Sequence, residues 1–598
     1  MPAIPQNAGD LIPHLKIVGG VLVAYFILTR LFSYISILRQ VRGLPTQHAF
    51  LAAYELGLRT RAPHIPWLLP VKSYYSVPEF ERFDKAGSDL LAYTVATEHR
   101  AVYFTANPQT AAHLYTKSSD FGKAAFMRRY RSARKFGSNI IAAADGAEHK
   151  QHKAIVRGCF GEAIFQRAWE GMSDIVDLML KEEGVVDGGI LKDVERATIK
   201  ASLGLTARKK KRKEKEKKTR LALLIMGNDF NISQATFCLI GQVGFGQEVP
   251  WNIPETKPGD PMPFLEAMEV IDQSLLYQFM LPGWLMKLIP TDKFKRFGQS
   301  QVDFVRYCYQ MVREKRAELG ITQEADSKPP TDLLGALVYH QMAAENQARS
   351  EKGTGQDQVG LTEGEVFSNM FMFLLAGHET TGHTLAFTLA YLALNPQWQE
   401  ECYNEIREHC GDEAPAYHHV HKLALCHAAG LEALRMRDIV RILAKAAVRD
   451  TTIPYTTWDK EGNVTHRQHP VKAGSIIFTD QGAAQRNPFH WDDPNTYNPR
   501  RHLSVTADGD ARTGVKNNSK NPPFIAFSLG QRQCIGRRFA EVEMVVFLAE
   551  IMSRYTIHPV PLHPGESRES IEHRMLDTGT EDLTLIPGKF SIRLEKRA

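Results

Sequence analysis

Ten residues near the carboxyl terminus set a thiol among glycines and an arginine at spacings that suit a soft metal. They read Phe527-Ser528-Leu529-Gly530-Gln531-Arg532-Gln533-Cys534-Ile535-Gly536, and a helical pattern follows from Arg537. A cysteine just ahead of a helix has its thiolate stabilised by backbone N–H groups and the helix dipole, which makes it a ligand for iron. Gly530 and Gly536 allow a tight turn and close approach to a flat macrocycle, and Arg532 is placed to pair with a carboxylate such as a haem propionate. An inert buried thiol is the bland alternative, but it would not call for these residue types at these offsets.

Three more constellations occur upstream. Ala376-Gly377-His378-Glu379-Thr380 sits in the middle of a long helical pattern. There Gly377 removes a side chain where the helix would pass over the macrocycle, and a Thr380 hydroxyl bonded to a backbone carbonyl would open the helix into a pocket. Glu379 and Thr380 make an acid–alcohol pair suited to moving protons. Glu432-Ala433-Leu434-Arg435 puts an acid and a base on one helix face, and Pro499-Arg500-Arg501-His502 follows; the resemblance named below implies that Arg501 joins the pair in a buried ion-pair network, structural and not catalytic.

The cysteine decapeptide resembles the haem-binding loop of the cytochrome P-450 superfamily, and the other constellations follow in that family's order, with His149 to Lys153 where the family often has Trp-x-x-x-Arg. The resemblance runs from about residue 45 to the end, apart from one insert. It implies a mainly α fold with a minor β portion, a single large haem domain, and haem b (iron protoporphyrin IX) with Cys534 as axial thiolate and metal ligand. Phe527, Gly530, Arg532, Gly536, His149, Lys153 and Gly377 would surround the haem, and Glu379 and Thr380 would be catalytic. Glu432, Arg435 and Arg501 would be structural. The implied activity is monooxygenation of a lipophilic substrate. Electrons from NADPH would come through NADPH–cytochrome P-450 reductase, with cytochrome b5 as a second donor.

Some positions depart from the family pattern. Met436-Arg437-Asp438-Ile439-Val440 stands where prolines are common, which puts the shape of that segment in question. His149 and Lys153 replace tryptophan and arginine, and a lysine holds a propionate as a point charge rather than a fork. Lys445 is a further candidate propionate contact.

The elements that must position these residues are less sharply written. Thr362 with Glu365 three residues on makes a capping box, and apolar positions then run to Leu394 before Asn395-Pro396 stops a helix of more than thirty residues. Helical patterns cover Pro263 to Leu276 and Lys293 to Leu319, with an apolar break from Phe279 to Met286 between them. Strand-like runs are short and late, at Ser475 to Thr479 and Leu583 to Ile586.

Residues 17–38 carry Arg30 as their only charge and as a helix would span about 33 Å, near the thickness of a bilayer core. After a tail of 1–16 they read as a transmembrane anchor, with 39–48 as a hinge linker and 49–598 as the catalytic domain. Arg39 and Arg42 place the following side in the cytosol, and the resemblance to the cytochrome P-450 superfamily, whose microsomal type carries such an anchor, implies the endoplasmic reticulum membrane.

The composition, 43% hydrophobic and 23% charged, is that of a folded globular chain. Its seven cysteines are too scattered for a disulfide scaffold. The net charge of +6 resides in residues 202–235, which alone carry ten basic and three acidic side chains; the remainder is close to neutral. No aromatic interleaves the basic run, so it reads as an insertion, a retained intron by hypothesis, and nucleic acid is not expected as a partner. Cys402, His409, Cys410, His418, His419, His421, Cys426 and His427 crowd one window but lack a Cys-x-x-Cys knuckle, which argues against zinc.

Overall fold

Runs such as Leu90–Val95 and Ile476–Asp480 are buried at every position, so they lack the alternation that marks a half-exposed strand. The computed structural model places both in one sheet. It describes residues 8–50, 65, 80–127, 130–131, 133–134, 136–192, 194, 232–247, 250–251, 260–280, 283–321, 330–350, 360–505, 511–513, 522–581 and 584–597.

The helices used below are α1 (Ala8–Gln40), α2 (Ala147–Arg157), α3 (Glu162–Glu182), α4 (Ile232–Leu239), α5 (Phe264–Met280), α6 (Gly283–Leu288), α7 (Asp292–Ile321), α8 (Leu333–Ser350), α9 (Glu363–Leu394), α10 (Pro396–Cys410), α11 (Ala424–Met436) and α12 (Arg537–Arg554). The strands are β1 (Thr46–Ala49), β2 (Leu90–Val95), β3 (Val102–Thr105), β4 (Phe121–Lys123), β5 (Gly189–Leu191), β6 (Ile442–Ala447), β7 (Thr451–Trp458), β8 (Val464–Val471), β9 (Ile476–Asp480), β10 (Leu503–Val505), β11 (Ala511–Thr513), β12 (Tyr555–Pro559), β13 (Thr580–Glu581), β14 (Leu585–Ile586) and β15 (Ile592–Lys596).

Two units form. The first takes residues 1–124 and 442–487, the second 125–441 and 488–598. In the first, six strands run in the order β1-β2-β3-β9-β6-β4, with β1/β2 and β3/β9 parallel and the rest antiparallel, and β7 and β8 make a separate hairpin. The sheet brings together segments more than 300 residues apart. This explains why its early strands, each of three to six residues, escaped sequence patterning. Lys445 lies buried on β6, opposite Lys123 of β4.

The last turns of α1 are part of this unit. Ile37 and Val41 are buried, Arg30 donates to the Thr97 carbonyl at 2.5 Å, and Ser33 meets His99 at 3.1 Å. Among the described residues α1 is the one helix long and apolar enough to cross a bilayer, over Gly19–Gln40. Upstream of these turns Tyr25, Phe26, Ile27 and Leu28 are exposed. Within the expected hinge at 39–48, Pro45 accepts from the Ala92 amide at 2.9 Å and β1 pairs with β2, so backbone hydrogen bonds hold residues 45–49 to the sheet.

The second unit is mainly α, as expected, with small sheets β12-β15-β5, β10-β11 and β13-β14. Its axis is α9. The Thr362 amide donates to Glu365 and the Glu365 amide to Thr362 Oγ1, so the capping box forms, and α10 begins directly at Pro396. The amphipathic α3 buries Phe165, Trp169, Met172, Val176 and Met179 at helical spacing. α4 passes at Ile240 into a π turn, Ile240–Gly244, so this stretch is not a plain α-helix.

Most of the proposed insert lies outside the described residues, but its last four residues belong to α4. Gln234 and Ala235 are buried there and Gln234 hydrogen-bonds the Trp251 carbonyl, so the core helix starts before the expected boundary. The expected apolar break at 279–286 is largely helical as well, Phe279 and Met280 ending α5 and Gly283 opening α6.

Candidate active site

The backbone of the cysteine loop is folded by its own hydrogen bonds. The Cys534 amide donates to the Phe527 carbonyl at 2.9 Å, Gly530–Arg532 forms one 3-10 turn, and α12 starts at Arg537. Gly530 has φ +70° and Ser528, without a glycine's freedom, has φ +56°. The Arg537 guanidinium lies 5.4 Å from the Phe527 ring.

Solvent reaches Cys534, whereas the other six cysteines are buried. Its thiol is nevertheless crowded by protein: burial raises its pKa, and the Gly536 amide and the Arg537 charge oppose this only in part. The expected helix-terminus effect is present but is not the larger one. A soft donor that is both enclosed and accessible fits a large, flat, metal-bearing ligand.

Arg532 sits differently from expectation. Its Nε donates to Asp145 at 2.6 Å, and its two other nitrogens donate to the carbonyls of Ile140 at 3.2 Å and Ala143 at 2.7 Å. The guanidinium therefore anchors the loop to residues 140–145, and only its remaining N–H bonds are left for a propionate. That segment is pinned in turn to α9, since Asn139 donates to Ser368 Oγ at 3.0 Å and the Ile140 amide to Asn369 at 3.0 Å. Lys153, on α2, donates to the Gln531 carbonyl at 2.8 Å, a second tie to the loop, while His149 on the same helix is buried.

From Val366 to Leu394, α9 is buried except at Ala376, Gly377 and Thr380, which share one face. Gly377 and Thr380 both have partners within the protein on this face. A side chain at Gly377 would meet Ile240 of the π turn at 3.1 Å, so this glycine serves helix packing. Thr380 Oγ1 donates to the Ala376 carbonyl at 2.9 Å without opening the helix, which is continuous. Thr384 and Thr388 repeat the same i−4 bond. Glu379 is buried, off the accessible stripe.

Glu432 is the centre of a network that takes in Arg435, Arg501 and also His502. Arg435 grips both oxygens of Glu432, at 2.8 and 2.9 Å, with neither side chain exposed. Arg501 Nε approaches at 3.2 Å, His502 Nε2 at 3.0 Å and the Asn498 amide at 3.0 Å. Burial by itself would raise the pKa of Glu432; hydrogen bonds from His502 and Arg435 overcome it and hold the carboxyl at about 2. His502 stood in the motif without an assigned role, because its aim is set by the 3-10 turn Pro499–His502. Downstream lies Asp438, in the segment where prolines were expected. It accepts from the Val440 amide at 3.1 Å, and the Ile439 carbonyl accepts from Leu585 at 2.9 Å.

Sequence reasoning missed Glu543 on α12. It is 1% exposed, neither oxygen has a hydrogen bond of good geometry among the described residues, and burial pushes its pKa well above the carboxylate range against a partial offset from the Thr381 hydroxyl. In the Cys/His window, Cys402 and Cys426 lie side by side in the core and His419 accepts from the Ala416 amide, each in a packing or capping role.

An exposed cysteine at the head of a buried helix, an accessible stripe on the central helix and a buried Glu–Arg–Arg network lie in one unit. The chain belongs to the cytochrome P450 family, whose pattern matches residues 91–585. It is 29% identical over 502 residues to cytochrome P450 monooxygenase 124 of Postia placenta, covering 83% of each chain. It is 25% identical to cytochrome P450 monooxygenase prx9 of Penicillium rubens, covering 61% of this chain and 64% of that one. A more distant relative is cyclooctat-9-en-7-ol 5-monooxygenase of Streptomyces melanosporofaciens, 26% identical over 49% of this chain and 55% of its own. Monooxygenase chemistry with a haem-thiolate cofactor is thus the activity class.

Proposed function

We propose that the protein is a membrane-anchored monooxygenase that inserts one atom of O2 into a lipophilic substrate, with Cys534 as the haem ligand. The observation that carries this reading is the accessibility of Cys534, alone among seven cysteines, at the start of α12. Bound haem b supplies the oxygen activation and the redox chemistry, taking electrons that originate in NADPH. Its partners are NADPH–cytochrome P-450 reductase and cytochrome b5, and α1 holds the protein on the endoplasmic reticulum membrane with the catalytic domain in the cytosol.

The protein's own residues position and protonate. Phe527, Gly530 and Gly536 shape the cradle, while Arg532, Lys153 and His149 serve its propionate side. Arg532 and Lys153 also brace the cysteine loop through Asp145 and Gln531. Thr380 spends its hydroxyl proton on the Ala376 carbonyl and so offers lone pairs to the accessible side of α9, where it orients a hydrogen-bond donor. It passes a proton only by exchanging that partner, and Glu379 is the buried acid beside it that replenishes the proton.

The decisive experiment is the absorption spectrum of the reduced carbon monoxide adduct, recorded for the full chain and for Cys534→Ala. The wild type should show the Soret band of thiolate ligation and the variant should lose it. A variant that keeps the band ends the assignment. Product formation that needs neither NADPH nor reductase would instead indicate a haem-thiolate isomerase or dehydratase.

A further inference from the structure

The apolar helix α1 changes character partway along. Ala24 to Leu28 are exposed on every side, whereas from Arg30 a stripe at helical spacing, Arg30, Ser33, Tyr34, Ile37 and Val41, turns toward the sheet of the first unit. Its polar members all have partners there. Arg30 donates to the Thr97 carbonyl, Ser33 meets His99, and Tyr34 meets His48 at 3.1 Å, which in turn meets Thr94 at 2.6 Å.

The turn that receives these bonds, residues 97–100, carries Glu98 and Arg100, and Arg100 is exposed. A membrane span over 17–38 would draw this charged turn into hydrocarbon beside Arg30, where neither its charges nor its backbone groups would find water. The part of α1 that is free of the sheet ends at Thr29. The helix begins at Ala8, and Asp10 to Thr29 alone cover about 30 Å, the thickness of a bilayer core. Beyond Arg30 the face turned away from the sheet still exposes Leu31, Phe32 and Ile35, and Phe50, whose carbonyl accepts from the Thr97 hydroxyl at 3.1 Å, is exposed near the same turn. Aromatic and aliphatic side chains at that level, followed by the exposed Arg39, suit the boundary between acyl chains and headgroups.

We infer that the hydrocarbon ends at Arg30, and that the later turns of α1 are a docked part of the first unit which rests on the headgroup layer through Leu31, Phe32, Ile35 and Phe50. The membrane partner is a lipid surface, met by the sheet unit directly and not across a flexible tether. This inference rests on the membrane anchoring proposed above.

The test uses the haem-loaded full chain in phosphatidylcholine vesicles. A chain that does not float with the vesicles ends both the anchoring reading and this one. In the floated protein, Ser33→Cys/His99→Cys treated with a short bismaleimide should yield the linked peptide about tenfold more than Ile27→Cys/His99→Cys does, since Arg30 and Tyr34 still hold the docked turns. A fluorophore on Phe32→Cys should be quenched by lipid with a nitroxide at the headgroup, and one on Val21→Cys by lipid with the nitroxide at mid-chain, each measured against the unsubstituted chain labelled in parallel. Floated protein that shows no preference for the 33–99 link, or a Phe32 label quenched from mid-chain, overturns the docking and leaves the anchor standing.

Discussion

Asp145 accepts the Nε–H of Arg532 at 2.6 Å, and this pair fastens the cysteine loop to a segment that is itself pinned to α9 through Asn139 and Asn369. The ligand loop and the central helix are thus joined by hydrogen bonds within the protein, before any haem carboxylate takes part. Asp145→Ala removes one bond and leaves two carbonyl acceptors; because Asp145 is partly exposed, its loss should cost only about 0.5 kcal/mol. Arg532→Ala removes all three and should cost about 2 kcal/mol. Thermal melts of the two variants, with the retained haem fraction, check the order; equal losses would mean that the carbonyl contacts contribute nothing.

Glu432→Gln leaves two arginines facing a neutral amide with no solvent to compensate, so about 3 kcal/mol of stability should go. The folded carboxyl sits at about 2 and the unfolded one near its ordinary value of 4.5. Its contribution is therefore complete above pH 4.5 and fades as pH falls toward 2. Denaturant unfolding from pH 7 to pH 3 should show the gap between wild type and variant narrowing on acidification.

Glu543 has the opposite sign. Its folded pKa is raised, so the folded state holds a proton that the unfolded state gives up, and stability drops as pH rises above the ordinary carboxylate range. Glu543→Gln keeps the shape and removes the titration. The variant should gain on the wild type progressively from pH 5 to pH 8 in the same unfolding assay, and parallel curves would show that the carboxyl is not held neutral.

Ser528→Gly should stabilise the protein by about 1 kcal/mol, since an L-residue at φ +56° carries a steric cost that glycine does not. A raised melting temperature with an unchanged carbon monoxide spectrum is the expected result. A lower one would show that the Ser528 hydroxyl does more for the loop than its backbone costs.

The local geometry of the candidate site was legible in the sequence because short segments carry it. Cys534 precedes a helix, Glu432 and Arg435 are one helical turn apart, and Thr362 and Glu365 cap their helix; each relation needs only a few residues of local structure to be realised. What remained hidden depends on distant chain segments. The strands β2 and β3 are buried on both faces and lack alternation, so only pairing such as β3 with β9 identifies them. The aim of Arg532 at Asp145, the packing of Gly377 on Ile240 and the isolation of Glu543 arise from contacts across the fold, where burial removes water as the alternative partner and makes each unmatched polar group count. Residue types and local spacing fixed the kind of chemistry, and the approach of remote segments decided which atoms each side chain meets.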